Sequence, residues 1–551
     1  MAESYEKLTQ SFEKKSPFLI GLGCSLTLLI MFFVCSSIAS LLMVGLEWKA
    51  FGIYLEEIIQ ILKFTFLQSF LSVILSFIIG FMIAKTLLRL SWRRLEQFIL
   101  YSSSVAFTIP TVVAGFGIVK IWGGNGLLLN FFNTIFGDIY FNLYGLTGIL
   151  LAHTFFNIPL YLRVFYNCFS SVKRNSIKVA SQLNISGWNY FKIIEWPAIK
   201  SATPLISGIV FLQCFTSFAL VLMLGGGPAA STLEVAIYTA VRFDFNLNSA
   251  AVLSIIQILI CCIILILFGL MEGKSYVFSK INSQSNSRII SNHENILTNI
   301  SIIFWILIFF ILILLPILVI FISGFNSKFA IIFSSIFFRS FFTSVSIAII
   351  SSIITIFFSL ILVITRTNLL INSKLNPKIY KSHYVKVFDI INVLYLAIPS
   401  IVLGVGIFIL LKGKFNYTIL PLVILIISNV FLCLPFAINI IQSKYFSLSE
   451  KHDRLCSSLG IKGLNRFLKI DLPALRPELG FASGLSACLS IGDLSVIALF
   501  GNQNFQTLPW LMYQFMSTYK MKEAAVMSLV LLLICFTFFY FFSRLFKLEH
   551  A

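Results

Sequence analysis

Charge is scarce in this chain: only 11% of its 551 residues are Asp, Glu, Lys or Arg, against about 25% in a soluble domain. That excludes an ordinary globular enzyme, and the apolar content excludes a disordered chain. Catalytic and metal signatures are missing too. The five His include no H-E-x-x-H pair and the ten Cys no C-x-x-C, so neither a zinc site nor a disulfide framework is expected. Gly273-Lys274-Ser275 imitates the end of a phosphate loop, but Phe268 stands where its first Gly is required. Without a nucleotide site, the chain by itself cannot turn ATP into work.

What is abundant is apolar. Hydrophobic residues make up 58% of the sequence, with 59 Phe, more than a soluble core of this size could hide. A bilayer core needs about 20 apolar residues per helix, and runs of that kind lie near 18–46, 60–84, 97–121, 145–167, 203–224 and 250–271. A second set lies near 299–324, 336–364, 387–411, 417–441, 479–500 and 523–546. The first run exceeds the core of a signal peptide and is expected to be a retained helix. Its Cys residues fall mostly inside such runs, where they act as small hydrophobes.

The formal charge of +19 could suggest nucleic acid, but the bases cluster between apolar runs, so no nucleic-acid partner is expected. With a cytoplasmic N-terminus, 30 of the 40 Lys and Arg fall in cytoplasmic segments. The positive-inside rule therefore predicts both termini in the cytoplasm.

The sequence also repeats. Leu183-Asn184-Ile185-Ser186-Gly187, then Phe191, Glu195 and Pro197, match Leu459-Gly460-Ile461-Lys462-Gly463, then Phe467, Asp471 and Pro473, every pair 276 apart. Pro159 and Pro435, and Gly225 and Gly501, keep that offset, while Tyr238 and Tyr513 differ by 275. Ile-Pro-x-x-Val-x-Gly-x-Gly-Ile occurs at 109–118 and again at 398–407. The expected fold is an all-α polytopic membrane protein, with about 12 transmembrane helices in two homologous six-helix halves in the same orientation. The expected division is a cytoplasmic N-terminus 1–17, a first half 18–271 with inner loop 168–202, and a cytoplasmic linker 272–298. A second half, 299–546 with inner loop 442–478, and a tail 547–551 complete it. Duplication could simply build a larger bundle, but paired repeats in transporters usually enclose a pathway.

The two inner loops carry the most specific motif. Lys178-Val179-Ala180, then Leu183 and Asn184, and Arg454-Leu455-Cys456, then Leu459 and Gly460, resemble E-A-A-x-x-L-G with a Pro 13 residues after the Gly. That pattern marks membrane subunits of binding-protein-dependent ABC importers, whose loop forms a short coupling helix seated on a cytoplasmic ATPase. The departures include Lys178 and Arg454 for Glu, Leu455 and Cys456 for Ala, and Asn184 for Gly, although Asn also tolerates the left-handed cap. The Pro is expected to fix the return towards the membrane.

Further segments narrow the resemblance. Gly148 to Pro159, Glu195-Trp196-Pro197, Gly225 to Pro228, Gly492 to Gly501 and Thr507-Leu508-Pro509 are similar to the thiamine and thiamine pyrophosphate importer permeases of Gram-negative bacteria. The resemblance implies a type I ABC importer transmembrane fold in the bacterial inner membrane. It also implies two cytoplasmic ATPase copies, a periplasmic substrate-binding protein and a thiamine-type substrate. No cofactor is expected on this chain, since ATP and Mg would sit on the ATPase. Ferric-iron permeases share the loop motif, and a 12-helix ion-coupled carrier would share the helix count, though it needs no ATPase socket.

Polar groups inside apolar runs are costly and often functional. Asp493 could favour a passing cationic thiazolium, or serve as a helix–helix or interfacial carboxylate. His153 aligns with Asn429 by the 276 offset, and Asn157 lies near Pro159. These three could line a pathway or satisfy carbonyls freed by Pro.

Overall fold

The computed structural model describes residues 17–45, 55–90, 92–137, 141–172, 174–271, 296–327, 329–375, 385, 388–389, 398–411, 419–461, 463–502 and 505–546. The expected N-terminal segment 1–17 (all but its last residue), the linker 272–298 up to residue 295, the tail 547–551 and much of 387–399 lie outside them. Among the described residues the architecture is entirely helical.

The first half runs α1 (Pro17–Gly45), α2 (Leu55–Arg89), α3 (Arg93–Thr108), α4 (Thr111–Trp122), α5 (Leu127–Phe136) and α6 (Leu146–Ser170). It continues with α7 (Arg174–Gln182), α8 (Gly187–Lys200), α9 (Thr203–Phe215), α10 (Ala219–Leu224), α11 (Leu233–Arg242) and α12 (Leu247–Met271). The second half runs α13 (296–325), α14 (Ser335–Leu375), α15 (Ser400–Leu411), α16 (Leu420–Ser458), α17 (463–492), α18 (Ser495–Phe500), α19 (Leu508–Ser517) and α20 (Met521–Phe546). Among the described residues ten helices are long and apolar enough to cross a membrane, or eleven when α8 and α9, bent by 62°, count as one span. The predicted ninth span is described only as the short α15. About a dozen crossings thus fit.

Several boundaries differ from the sequence reading. The expected span 97–121 breaks at Ile109-Pro110, because Pro holds its predecessor out of the helical region, and the crossing helix begins at Thr111. The runs 203–224 and 479–500 break at 216–218 and at Asp493-Leu494. The tenth run does not stop near 441; α16 continues unbroken to Ser458, through Pro435.

Pro197 and Pro473 do not start a turn either. Each sits in a continuing helix just after a π segment, Phe191–Glu195 or Phe467–Asp471, and Pro316 follows Phe310–Leu314 in the same way. A π turn is wider than an α turn and so accommodates a ring that would clash with the carbonyl four residues back. The first loop bends at 201–202, after its Pro.

The halves exchange their first helices. α1 packs on α14 and α15 of the second half, and α13 packs on α4 and α2 of the first. The repeated Gly-x-Gly motif explains how. A Cβ at Gly117 would meet the Pro316 carbonyl at 3.0 Å, and one at Gly406 would meet the Ser37 carbonyl at 2.8 Å. Only hydrogen fits where the partner half's first helix crosses. Ser40 Oγ also donates to the Gly406 carbonyl at 2.8 Å.

Small polar side chains share the interior with the apolar core, and large apolar ones also cover the outer surface. On α2, Thr65, Gln68, Ser69, Ser72 and Ser76 are buried, while Leu67 and Phe70 are exposed. Lipid is as apolar as Leu, so interior packing favours small residues and interhelical hydrogen bonds. Gln68 Nε2 donates to the Cys214 carbonyl at 2.9 Å, and Ser352 Oγ to the Ser483 carbonyl at 3.0 Å.

Candidate functional site

The two inner loops close their helices alike. In the first, Asn184 and Gly187 have φ of 50° and 56°; in the second, Gly460 and Gly463 have 70° and 62°. Ile185 N–H donates to the Ala180 carbonyl at 3.0 Å and Ile461 N–H to the Cys456 carbonyl at 2.9 Å. Both bonds are the six-to-one link of a Schellman cap, which needs a left-handed residue before the donor. Ala180 and Cys456 are buried, whereas Val179, Leu183, Leu455 and Leu459 are each more than half exposed. Lys178 is exposed as well, and the side chain of Arg454 lies outside the described ones.

The settings of the caps differ. α7 is a separate short helix, whereas its counterpart is the last turns of α16. Phe191 anchors the first loop, with ring centroids 5.8 Å from Phe81 of α2 and 4.9 Å from Trp188. Glu195, buried, pairs with Lys85 of α2 at 2.8 Å. Its repeat partner Asp471 instead meets Arg466 at 3.4 Å, and Arg466 also pairs with buried Asp453 of α16. Phe467 lies in the π segment that precedes Pro473. The equivalence of Glu195 and Asp471 is visible in the repeat, but their different partners are not.

Three of the intramembrane candidates turn towards their own halves. His153 Nδ1 lies 2.9 Å from Ser72 Oγ, and Asn157 Nδ2 donates to Cys214 Sγ at 3.1 Å. Asn429 Nδ2 donates to Ser490 Oγ at 2.8 Å. Asp493 is placed differently: it caps the break between α17 and α18, where its Oδ1 accepts from Ser495 N–H at 3.1 Å.

Sequence reasoning passed over Glu234. It sits on α11, within the stretch expected to be an outer loop, yet is 1% exposed. α11 packs across the seam on α15 and α18, and Arg242 Nη2 at its end donates to the Gly501 carbonyl at 2.9 Å. A lone carboxylate flanked by Leu233 and Val235 was the available signal.

The family of binding-protein-dependent transport system inner membrane components matches residues 379–547. Over almost the whole length, the chain is similar to the thiamine transport system permease protein ThiP of Haemophilus influenzae, at 33% identity covering 93% of each chain. The Salmonella typhimurium protein of that name is 32% identical, and the Escherichia coli one 30%, each over 88% of this chain and 89% of the relative. With its duplicated helical fold and matched inner-loop caps, the chain belongs to the thiamine transport permease family, multi-pass inner-membrane subunits of ABC systems.

Proposed function

We propose that this chain is the channel-forming subunit through which an ABC importer moves thiamine and its phosphates inward. Two copies of a cytoplasmic ATPase, which carry the ATP and Mg, dock on the loops around 178–188 and 454–464. A periplasmic binding protein delivers the substrate at the opposite face, and both termini lie in the cytoplasm. The observation that carries this reading is the pair of equivalent apolar edges, Val179 and Leu183 on one loop, Leu455 and Leu459 on the other. All four are exposed beside identical caps. Exposed apolar side chains on a basic loop suit a protein partner. Closure of the ATPases would push both loops together and rock the halves about their seam, and hydrolysis would reset them.

Reconstitution tests this directly. With the cognate ATPase and binding protein in vesicles, thiamine uptake should require ATP and survive an uncoupler. Loss of uptake on collapse of the ion gradients, at constant ATP, would move the chain to the ion-coupled carriers. Ferric-iron uptake in place of thiamine would replace the cargo and keep the machine.

A further inference from the structure

We infer that Glu234 of the first half and Asp493 of the second form a closed subsite at the seam that takes an organic cation, the charged ring of the substrate. This rests on the thiamine reading above and says where in the chain the substrate is held.

The two carboxylates arrive from opposite halves. Glu234 is on α11 and Asp493 is at the start of α18, helices that pack on each other. Three oxygens there lack a hydrogen-bond partner: Glu234 Oε2, Asp493 Oδ2 and Gln257 Oε1. Gln257, itself fully buried, uses its amide N–H to hold Glu234 Oε1 at 3.2 Å. These three oxygens are acceptors, so a positive charge or a donor would satisfy them; Trp510 Nε1, a donor of the second half, also lacks a partner. No described Lys or Arg is paired with either carboxylate. Arg242, two turns beyond Glu234, is directed to the carbonyls of Gly501 and Leu499.

A pair of buried carboxylates at one seam is costly without a cation, since each loses its hydration. Their surroundings favour an organic ion over a small hydrated one. Tyr238 is one turn from Glu234 on the same helix face, and Arg242 of that helix meets Gly501, against which Trp510 of the second half lies. Tyr513 stacks on Trp510 with centroids 5.5 Å apart. Aromatic faces beside a carboxylate suit a delocalised or quaternary nitrogen cation. The repeat does not supply this arrangement: the position 276 before Asp493 is Ser217. One carboxylate per half, at non-equivalent positions, makes a single site and not two.

The test uses the complete complex in vesicles, with Glu234→Gln, Asp493→Asn and the double variant. Each single change should lower ATP-driven thiamine uptake by about tenfold or more, the range for removing one partner of a buried charge contact. Hydrolysis stimulated by the loaded binding protein should persist. Uptake at the unaltered level in both variants would overturn the site. A change in sodium or proton dependence with thiamine affinity intact would also overturn it, by making the occupant inorganic. Labelling of the unaltered complex by a hydrophobic carbodiimide, read by peptide mass spectrometry, decides the matter even where a variant fails to assemble. Millimolar thiamine should protect Glu234 and Asp493, and equal labelling with and without it would refute the proposal. If the unaltered complex imports no thiamine, the functional reading fails separately. Protection by tetraethylammonium still tests the site in that case, and its absence overturns it.

Discussion

Arg466 offers the sharpest test of how the second inner loop is held. Its side chain is 12% exposed and lies between Asp453 and Asp471, whose side chains are 1% and 5% exposed. Arg466→Met keeps most of the volume but leaves two buried carboxylates without their guanidinium. Removing one partner of a buried pair costs about 3–5 kcal/mol. At roughly 1.4 kcal/mol per tenfold, the open population of the loop should rise by about two to three and a half orders of magnitude. The readout is amide hydrogen exchange across 442–478 in the membrane-embedded complex, with ATPase co-purification measured in parallel. Adding Asp453→Asn should restore part of the protection, because the cycle then removes a charge together with its partner. The first loop provides the internal control. Lys85 is 28% exposed where it meets Glu195, so solvent partly screens that pair, and Lys85→Met, which strands one carboxylate instead of two, should cost less than Arg466→Met. Unchanged exchange in Arg466→Met, or equal losses in the two loops, would refute the reasoning.

Other expectations follow from the same geometry. A Pro at Ala180 or at Ser457 removes a backbone donor inside a helix and should cost about 3 kcal/mol locally. It should detach the ATPase or uncouple hydrolysis while sparing insertion. The lesion at 457 should be the more severe, because α16 carries it directly into the membrane; equal, normal uptake in both would remove these loops as the socket. Gly406→Val would drive a side chain into the Ser37 carbonyl and should lower the yield of folded protein far more than Gly21→Val, where nothing lies within 4 Å; similar yields by fluorescence-detected chromatography would contradict the exchanged-helix packing. Cysteines introduced at Asn125 and Asn246 should label from the periplasm and those at Ser287 and Ser373 should not, and outside labelling of the latter pair would invert the orientation.

The sequence by itself determined the membrane class, the duplication and the inner-loop caps. Apolar run length is set by bilayer thickness, and a left-handed cap demands Asn or Gly whatever surrounds it, so Asn184 and Gly460 could be read directly. The family followed from motifs such as Gly492 to Gly501. Tertiary structure alone decided which helices are neighbours. Hydropathy is the same whichever half α1 packs against, so only tertiary contacts such as Gly406 with Ser37 and Gly117 with Pro316 reveal the exchange. The unbroken course of α16 to Ser458 was hidden because a basic, polar stretch looks like a loop until its helix is stabilised by packing, here through Asp453 and Arg466. Glu234 was illegible for a related reason: α11 is a short amphipathic helix that resembles an outer loop in sequence. Its place at the seam follows from the packing of α11 on α15 and α18 of the other half, which the sequence pattern does not show.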